Sequence, residues 1–123
     1  MRGIVFALCL AAAAAQAQAC GACDEDKVAA TYDHAAVERA AAQRRVVVFC
    51  DVQGAPVAVR ELRRIAARTS GIDAASLRTS EQPATLSFTV DPRRRSAESA
   101  AAALQRAVPP GTRISIVRVV GPG

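Results

Sequence analysis

Cys20 and Cys23, two cysteines three residues apart, are the residues of this sequence best suited to chemistry. The Cys-Gly-Ala-Cys spacing is typical of two thiolates that hold one soft metal ion such as Cu(I), Zn(II) or Hg(II). The acidic run from Asp24 to Asp26 indicates the first turn of a helix, whose N-terminus stabilises a neighbouring thiolate. The pattern predicts a metal site at Cys20 and Cys23. Because Zn(II) prefers four ligands, Cu(I) or Hg(II) is the expected ion.

The same cysteine pair supports two other interpretations. Thiol–disulfide redox proteins use the Cys-x-x-Cys spacing as well, although their pair follows a strand, and here no strand is predicted before Cys20. A local disulfide or an unpaired tail without a chemical role is equally compatible with the spacing. The sequence therefore leaves three interpretations open. These are a soft-metal site, a redox pair, and a pair without function in a metal-free interaction module.

Two further residues are candidate ligands by type, and both have simpler interpretations. Cys50 lies in a β-branched run, where counting by twos from Val52 puts it on one face of a strand, so we expect a buried core thiol. His34, the single histidine, follows Cys23 by 11 residues. On a continuous helix that separation is about 16 Å, so we expect a solvent-facing side chain rather than a third ligand.

Charge and composition limit the classes of function. The chain carries 16 Lys+Arg against 11 Asp+Glu, a net charge of +5, but its aromatic content is only 3%. Proteins that bind single-stranded nucleic acid need aromatic stacking platforms, so we expect no nucleic-acid partner. The sequence contains no phosphate loop, no nucleophile elbow and no second histidine, so we expect no enzyme. An anionic membrane surface or an acidic partner suits the basic residues better.

The first 19 residues have the pattern of a secretory signal peptide. Arg2 precedes an apolar run at residues 4–10, and Ala17-Gln18-Ala19 fits the small-x-small cleavage site. We therefore expect a periplasmic or secreted protein whose mature chain begins at Cys20. A lipid anchor on Cys20 is the alternative, and it would place the protein on a membrane surface.

Hydrophobic periodicity predicts the elements that must position these cysteines. A helix is expected over residues 24–43, followed by strand 46–53, helix 57–69, strands 75–80 and 84–90, helix 95–107 and strand 112–120. From residue 45 onward the order is β-α-β-β-α-β, which predicts an α+β, ferredoxin-like four-stranded sheet with an extra N-terminal helix. The division is signal 1–19, cysteine segment and helix 20–44, and domain 45–123.

The extra helix has a predicted place on the sheet. Two helices of a ferredoxin-like fold cover one face, and Val47 and Phe49 point to the other, which would expose an apolar patch. We expect the N-terminal helix to cover that face through Val28, Tyr32 and Ala36, or else a dimer contact there.

Residues 45–120 resemble the heavy-metal-associated domains of copper chaperones, metal-pumping ATPases and periplasmic mercury-binding proteins. The matching segments are Val-Phe-Cys-Asp-Val-Gln-Gly, Ser-Gly-Ile-Asp and Leu-Ser-Phe-Thr-Val-Asp-Pro. The resemblance implies the ferredoxin-like fold, metal handling, and a metal-transport or membrane protein as partner. It does not supply a site, because Val57 and Arg60 stand where this family carries its loop Cys-x-x-Cys.

Overall fold

A computed structural model of the protein describes residues 23–54 and 57–121. The predicted signal peptide and Cys20 lie outside these residues. The elements of the described part, in chain order, are α1 (Asp24–Ala29), α2 (His34–Ala42), β1 (Val46–Gly54), α3 (Val59–Ala67), β2 (Asp73–Glu81), β3 (Ala84–Val90), α4 (Ala97–Ala107) and β4 (Thr112–Val120). The bounds of β3 and β4 are those that the periodicity predicts.

The four strands form one sheet in the order β2-β3-β1-β4, and every neighbouring pair is antiparallel. With α3 and α4 as the connections between β1 and β2 and between β3 and β4, this is the predicted α+β, ferredoxin-like arrangement. The central strand β1 is buried along its first six residues. Its continuous apolar run follows from this position, since both of its faces are covered.

The main core lies between one face of the sheet and the helices α3 and α4. Val48 and Cys50 of β1 contribute to this core, as their alternation with Val52 predicts. Leu62 of α3 and Leu104 of α4 pack against them, and Leu104 is completely buried. The alanines of α4 allow that helix to lie close to the sheet, so Ala100 is also completely buried.

The second face of the sheet is covered by the two N-terminal helices, which confirms the predicted role of this segment. Val47 and Phe49 form a separate cluster with Val28 of α1 and Ala40 of α2. Tyr32 stacks on the Phe49 ring, with centroids 6.3 Å apart and planes 12° apart, but it remains 46% exposed. The buried alanine of α2 is thus Ala40. Ala36, which was predicted to contact the sheet, is half-buried.

The single helix predicted over residues 24–43 is wrong, because the chain leaves the helical conformation between α1 and α2. Asp33 is extended at φ −137°, and its carboxylate accepts a hydrogen bond from the backbone N–H of Ala36 at 3.2 Å. This is an N-cap, which offers the backbone an alternative to a continuous helix. Arg78 of β2 donates to the same carboxylate at 3.0 Å and ties the break to the sheet.

The strand β2 leaves the regular ladder for four residues. Asp73 pairs with Thr89 of β3, but the next pair is Arg78 with Ser87, so residues 74–77 form a bulge. The Ser76 hydroxyl stabilises the bulge by donating to the Asp73 carbonyl at 2.6 Å and accepting from the Thr89 N–H at 2.7 Å. Leu77 within the bulge still reaches the main core.

Candidate functional site

Cys23 lies at the N-cap of α1 and its side chain is exposed. Its backbone carbonyl accepts the first helical hydrogen bond, from the Lys27 N–H at 3.0 Å. Its thiol lies 3.4 Å from a carboxylate oxygen of Asp26, to which it can donate. The predicted partner thiol, Cys20, falls outside the described residues, so this structure locates one member of the predicted pair.

The helix that carries Cys23 is attached to the sheet by three contacts. Val28 is buried against Val47 and Phe49. The Lys27 ammonium lies 3.2 Å from the Asp51 carboxylate of β1. These contacts hold α1 in place although it has only six residues, which is too short for a stable isolated helix.

The third contact sets the direction in which α1 points. Arg118 of β4 donates to the Glu25 carboxylate at 2.9 Å, and this bond raises the pKa of the guanidinium above its usual value. Since Glu25 is two residues from Cys23, the cysteine end of α1 lies over β4, the edge strand of the sheet. The exposed thiol therefore lies near one edge of the sheet.

Electrostatics near Cys23 favour a cation. Asp24, Glu25 and Asp26 are all exposed in the first turn of α1, and Arg118 neutralises one of them. Within the described residues, no group of three or more His, Cys, Asp or Glu side chains is arranged to hold a metal ion.

Cys50 is a core thiol, as the sequence predicts. It is 1% exposed, and burial, followed by the charge of the neighbouring Asp51, raises its pKa to about 12. A soft metal ion is bound by the thiolate form. Because Cys50 is inaccessible, it cannot take part in a metal site on the surface.

His34 is an exposed residue of the first turn of α2, which confirms the solvent-facing interpretation. Its Nε2 lies 3.4 Å from the Glu38 carboxylate, and its Nδ1 lies 3.5 Å from the Tyr32 hydroxyl. Both ring nitrogens therefore have a polar neighbour on the same short segment. The expected separation of about 16 Å between Cys23 and His34 assumed one continuous helix. Because the chain breaks at Asp33, that distance does not apply.

The loop between β1 and α3 carries no thiol among its described residues. Val57 packs against the main core, and Arg60 is exposed in the first turn of α3 with no ion-pair partner among the described residues. Gly54, before the loop, has φ +96°, and the Gly111 carbonyl lies where a side chain would begin, so glycine is required there. The described residues of this loop therefore offer no soft ligand.

The ion pair between Lys27 and Asp51 is a positioning contact that the sequence analysis missed. Its signal was available, because Asp51 shares the parity of Val47 and Phe49 and must face the covering helix. An acid on a buried face needs a cationic partner, and Lys27, the single lysine of the chain, lies next to Val28. The position of Lys27 over Asp51 depends on how α1 lies on the sheet. The break before α2 at Asp33, which the sequence analysis did not expect, allows α1 and α2 to lie there as separate helices.

Comparison with known proteins assigns no family to this chain, since no protein-family model, curated protein or solved structure matches it. None of the helices in the described part of the chain has the length and hydropathy needed to cross a bilayer.

Proposed function

We propose that this protein is exported and binds a soft metal ion, Cu(I) or Hg(II), through Cys20 and Cys23 at the start of α1. The observation that supports the proposal is the position of Cys23, which is exposed at the N-cap of a helix docked onto the sheet. Two thiolates are sufficient for Cu(I), which tolerates low coordination numbers. If the mature chain begins at Cys20, its free α-amino group offers an additional nitrogen ligand.

The surroundings of Cys23 suit the transfer of a metal rather than its permanent storage. A buried, closed set of four ligands is typical of structural sites. Here the thiol is accessible at one edge of the molecule, and the three acidic residues around it attract a cation. The partner in this proposal is a metal-transport or membrane protein that receives the ion by thiolate exchange. The ferredoxin-like sheet fits the resemblance to heavy-metal-associated domains, although fold alone does not assign function.

The proposal is tested by titrating the mature protein anaerobically with Cu(I) against a chromogenic Cu(I) chelator. We expect one Cu(I) to be bound tightly, and the double variant Cys20→Ser/Cys23→Ser to lose that binding. Cys50→Ala is the matched control and keeps it, because the Cys50 thiol is buried. Tight binding that survives the double variant, or that is lost in Cys50→Ala with the fold intact, contradicts the assignment.

Two measurements separate the alternatives that use the same cysteines. A thiol–disulfide redox protein would show a readily reduced disulfide between Cys20 and Cys23 and no stoichiometric Cu(I) binding. Intact mass reports the N-terminus: the proposal requires a free Cys20 after loss of residues 1–19. A lipid on Cys20 would consume its sulfur and remove the two-thiolate site.

A further inference from the structure

Two adjoining cavities on the side of α2 form one groove, and arginines dominate its lining. The larger cavity, about 540 Å³, lies at the start of β2 and the loop after β3. The smaller one, about 310 Å³, continues between α2 and the bulge of β2. We call the whole the arginine groove, and its guanidinium groups belong to Arg39, Arg45, Arg78, Arg93 and Arg94.

Two of these arginines are held in place by carboxylates of the groove. Arg45 donates to Asp73 through Nη1 at 3.3 Å. Arg93 donates to Asp91 through Nε at 3.1 Å and Nη2 at 3.4 Å, and these bonds hold the pKa of Asp91 below its usual value. Each guanidinium has five N–H donors, so both retain donors that these carboxylates do not use. The pairs fix the direction of the remaining donors without satisfying them.

The other arginines leave the groove with excess positive charge. Arg78 bonds the Leu77 carbonyl and the Asp33 carboxylate and closes the end near the helix break. Arg39 and Arg94 are exposed and have no carboxylate partner in residues 23–54 and 57–121. Five guanidinium groups therefore face three carboxylates, which are Asp33 beside Arg78 and the lining residues Asp73 and Asp91.

Hydrogen bonds connect one wall of the groove to the sheet. That wall is the bulge of β2, in which the Ser76 hydroxyl bonds both Asp73 and Thr89. Thr89 is itself buried and pairs with Val47 of the central strand β1. The bulge thus keeps Asp73, the carboxylate that Arg45 bonds, at a defined place in the groove.

We infer that the arginine groove binds a phosphate-bearing ligand, whose oxygens are held by Arg39 and Arg94 together with the free donors of Arg45 and Arg93. Guanidinium groups match the geometry of phosphate oxygens and form charge-assisted, bidentate hydrogen bonds with them. No residue of α1 lines the groove, so this site is separate from the proposed metal site at Cys23. The phosphate belongs to a free diphosphate or to the headgroup of an anionic lipid.

A nucleic acid is a poorer occupant of the same groove. The groove lining contains no aromatic side chain among the described residues, so bases have no platform on which to stack. An acidic peptide would meet the two carboxylates Asp73 and Asp91 with carboxylates of its own. A phosphate group concentrates more charge in a smaller volume, which suits the two arginines that lack a partner.

Calorimetric titration of the mature protein with inorganic pyrophosphate, at 150 mM salt, tests the inference. We expect saturable 1:1 binding and a loss of affinity of about tenfold for each of Arg39→Gln and Arg94→Gln, since each removes charge-assisted hydrogen bonds. The control is the double variant Arg60→Gln/Arg106→Gln, which changes two exposed arginines of α3 and α4 that have no ion-pair partner in the described part of the chain. It removes the same charge as the double groove variant Arg39→Gln/Arg94→Gln. Its affinity should stay within about twofold of the parent.

Co-sedimentation with phosphatidylglycerol and phosphatidylcholine vesicles distinguishes the sources of the phosphate. Binding to phosphatidylglycerol that the groove variants lose, with or without pyrophosphate binding, supports a lipid phosphate. Binding of pyrophosphate without vesicle binding supports a free diphosphate. Absence of both, equal weakening by the control, or binding of poly-glutamate instead of phosphate overturns the inference. Circular dichroism verifies that Arg39→Gln and Arg94→Gln remain folded, which we expect because neither side chain has a partner in the described residues.

Discussion

Substitution of Lys27 by methionine tests whether α1 is held on the sheet as described. The Lys27 ammonium lies 3.2 Å from the Asp51 carboxylate, and the side chains are 19% and 9% exposed. Methionine keeps most of the aliphatic stem of lysine but cannot pair with the carboxylate. Asp51 would then be left buried, with the Gln53 side-chain amide as its remaining side-chain donor in the described structure.

The expected magnitude follows from the burial of the pair. Breaking a fully buried ion pair costs about 3–5 kcal/mol, whereas an exposed pair contributes about 0–1 kcal/mol. Because the ammonium is still partly solvated, we expect Lys27→Met to lower the free energy of unfolding by about 2 kcal/mol. For a domain of this size that corresponds to a decrease in Tm of roughly 10 °C.

Urea unfolding monitored by circular dichroism measures the effect. A double-mutant cycle with Asp51→Asn isolates the pair, and we expect a coupling energy above about 1 kcal/mol. Arg64→Met is the matched control, since it breaks an exposed pair with Glu61 and should cost less than about 0.5 kcal/mol. If Lys27→Met lowers the free energy of unfolding no more than Arg64→Met does, the contact with Asp51 does not hold α1 on the sheet. The role of that contact in positioning Cys23 is then refuted.

The remaining predictions concern single side chains. Burial raises the pKa of Cys50 to about 12, from 9.0 for the free thiol. Its contribution to stability is therefore present below pH 9 and lost as the pH rises towards 12. We expect pH titration of unfolding to show this alkaline decline in the parent and not in Cys50→Ala. Asp33 has its pKa lowered by the hydrogen bond from Arg78, so its contribution is present above pH 3.8 and lost in more acidic solution, and Asp33→Asn should flatten the acid side of the same titration. Phe49→Ala should cost about 3–5 kcal/mol and Tyr32→Ala about 1–2 kcal/mol in urea unfolding, because Phe49 is 2% exposed and Tyr32 nearly half exposed. Equal costs for the two would contradict the packing of α1 and α2 on this face.

The main domain was predictable because its strands and helices carry strong periodicity. Leu86, Phe88 and Val90 alternate with polar residues, and all three are buried in the core that the alternation predicts. The break at residues 109–111 correctly predicted the end of α4 and the start of β4. The turn at residues 81–83 correctly predicted the end of β2 and the start of β3. Local signals of this kind depend on neighbouring residues in the chain, so they can be read without the tertiary structure.

The N-terminal segment was harder, because alanine-rich sequence has high helix propensity throughout. Asp33 competes with that propensity by capping α2, and Arg78, which is 45 residues away, bonds the same carboxylate. A contact over that separation cannot be recognised from local pattern. The N-cap preference of aspartate was nevertheless a signal that the continuous-helix prediction did not weigh.

The sequence by itself determined the order of the strands and helices from residue 45 onward, the buried state of Cys50 and the exposure of His34. Each depends on residue type, spacing and burial pattern within one element. Only the tertiary structure decided that Lys27 pairs with Asp51 and that α1 points its cysteine end over β4. It also decided that arginines of α2, of β2 and of the loops before β1 and after β3 surround one groove. The physical reason is that charges and cavities between elements depend on distances that the fold creates, which no local spacing encodes.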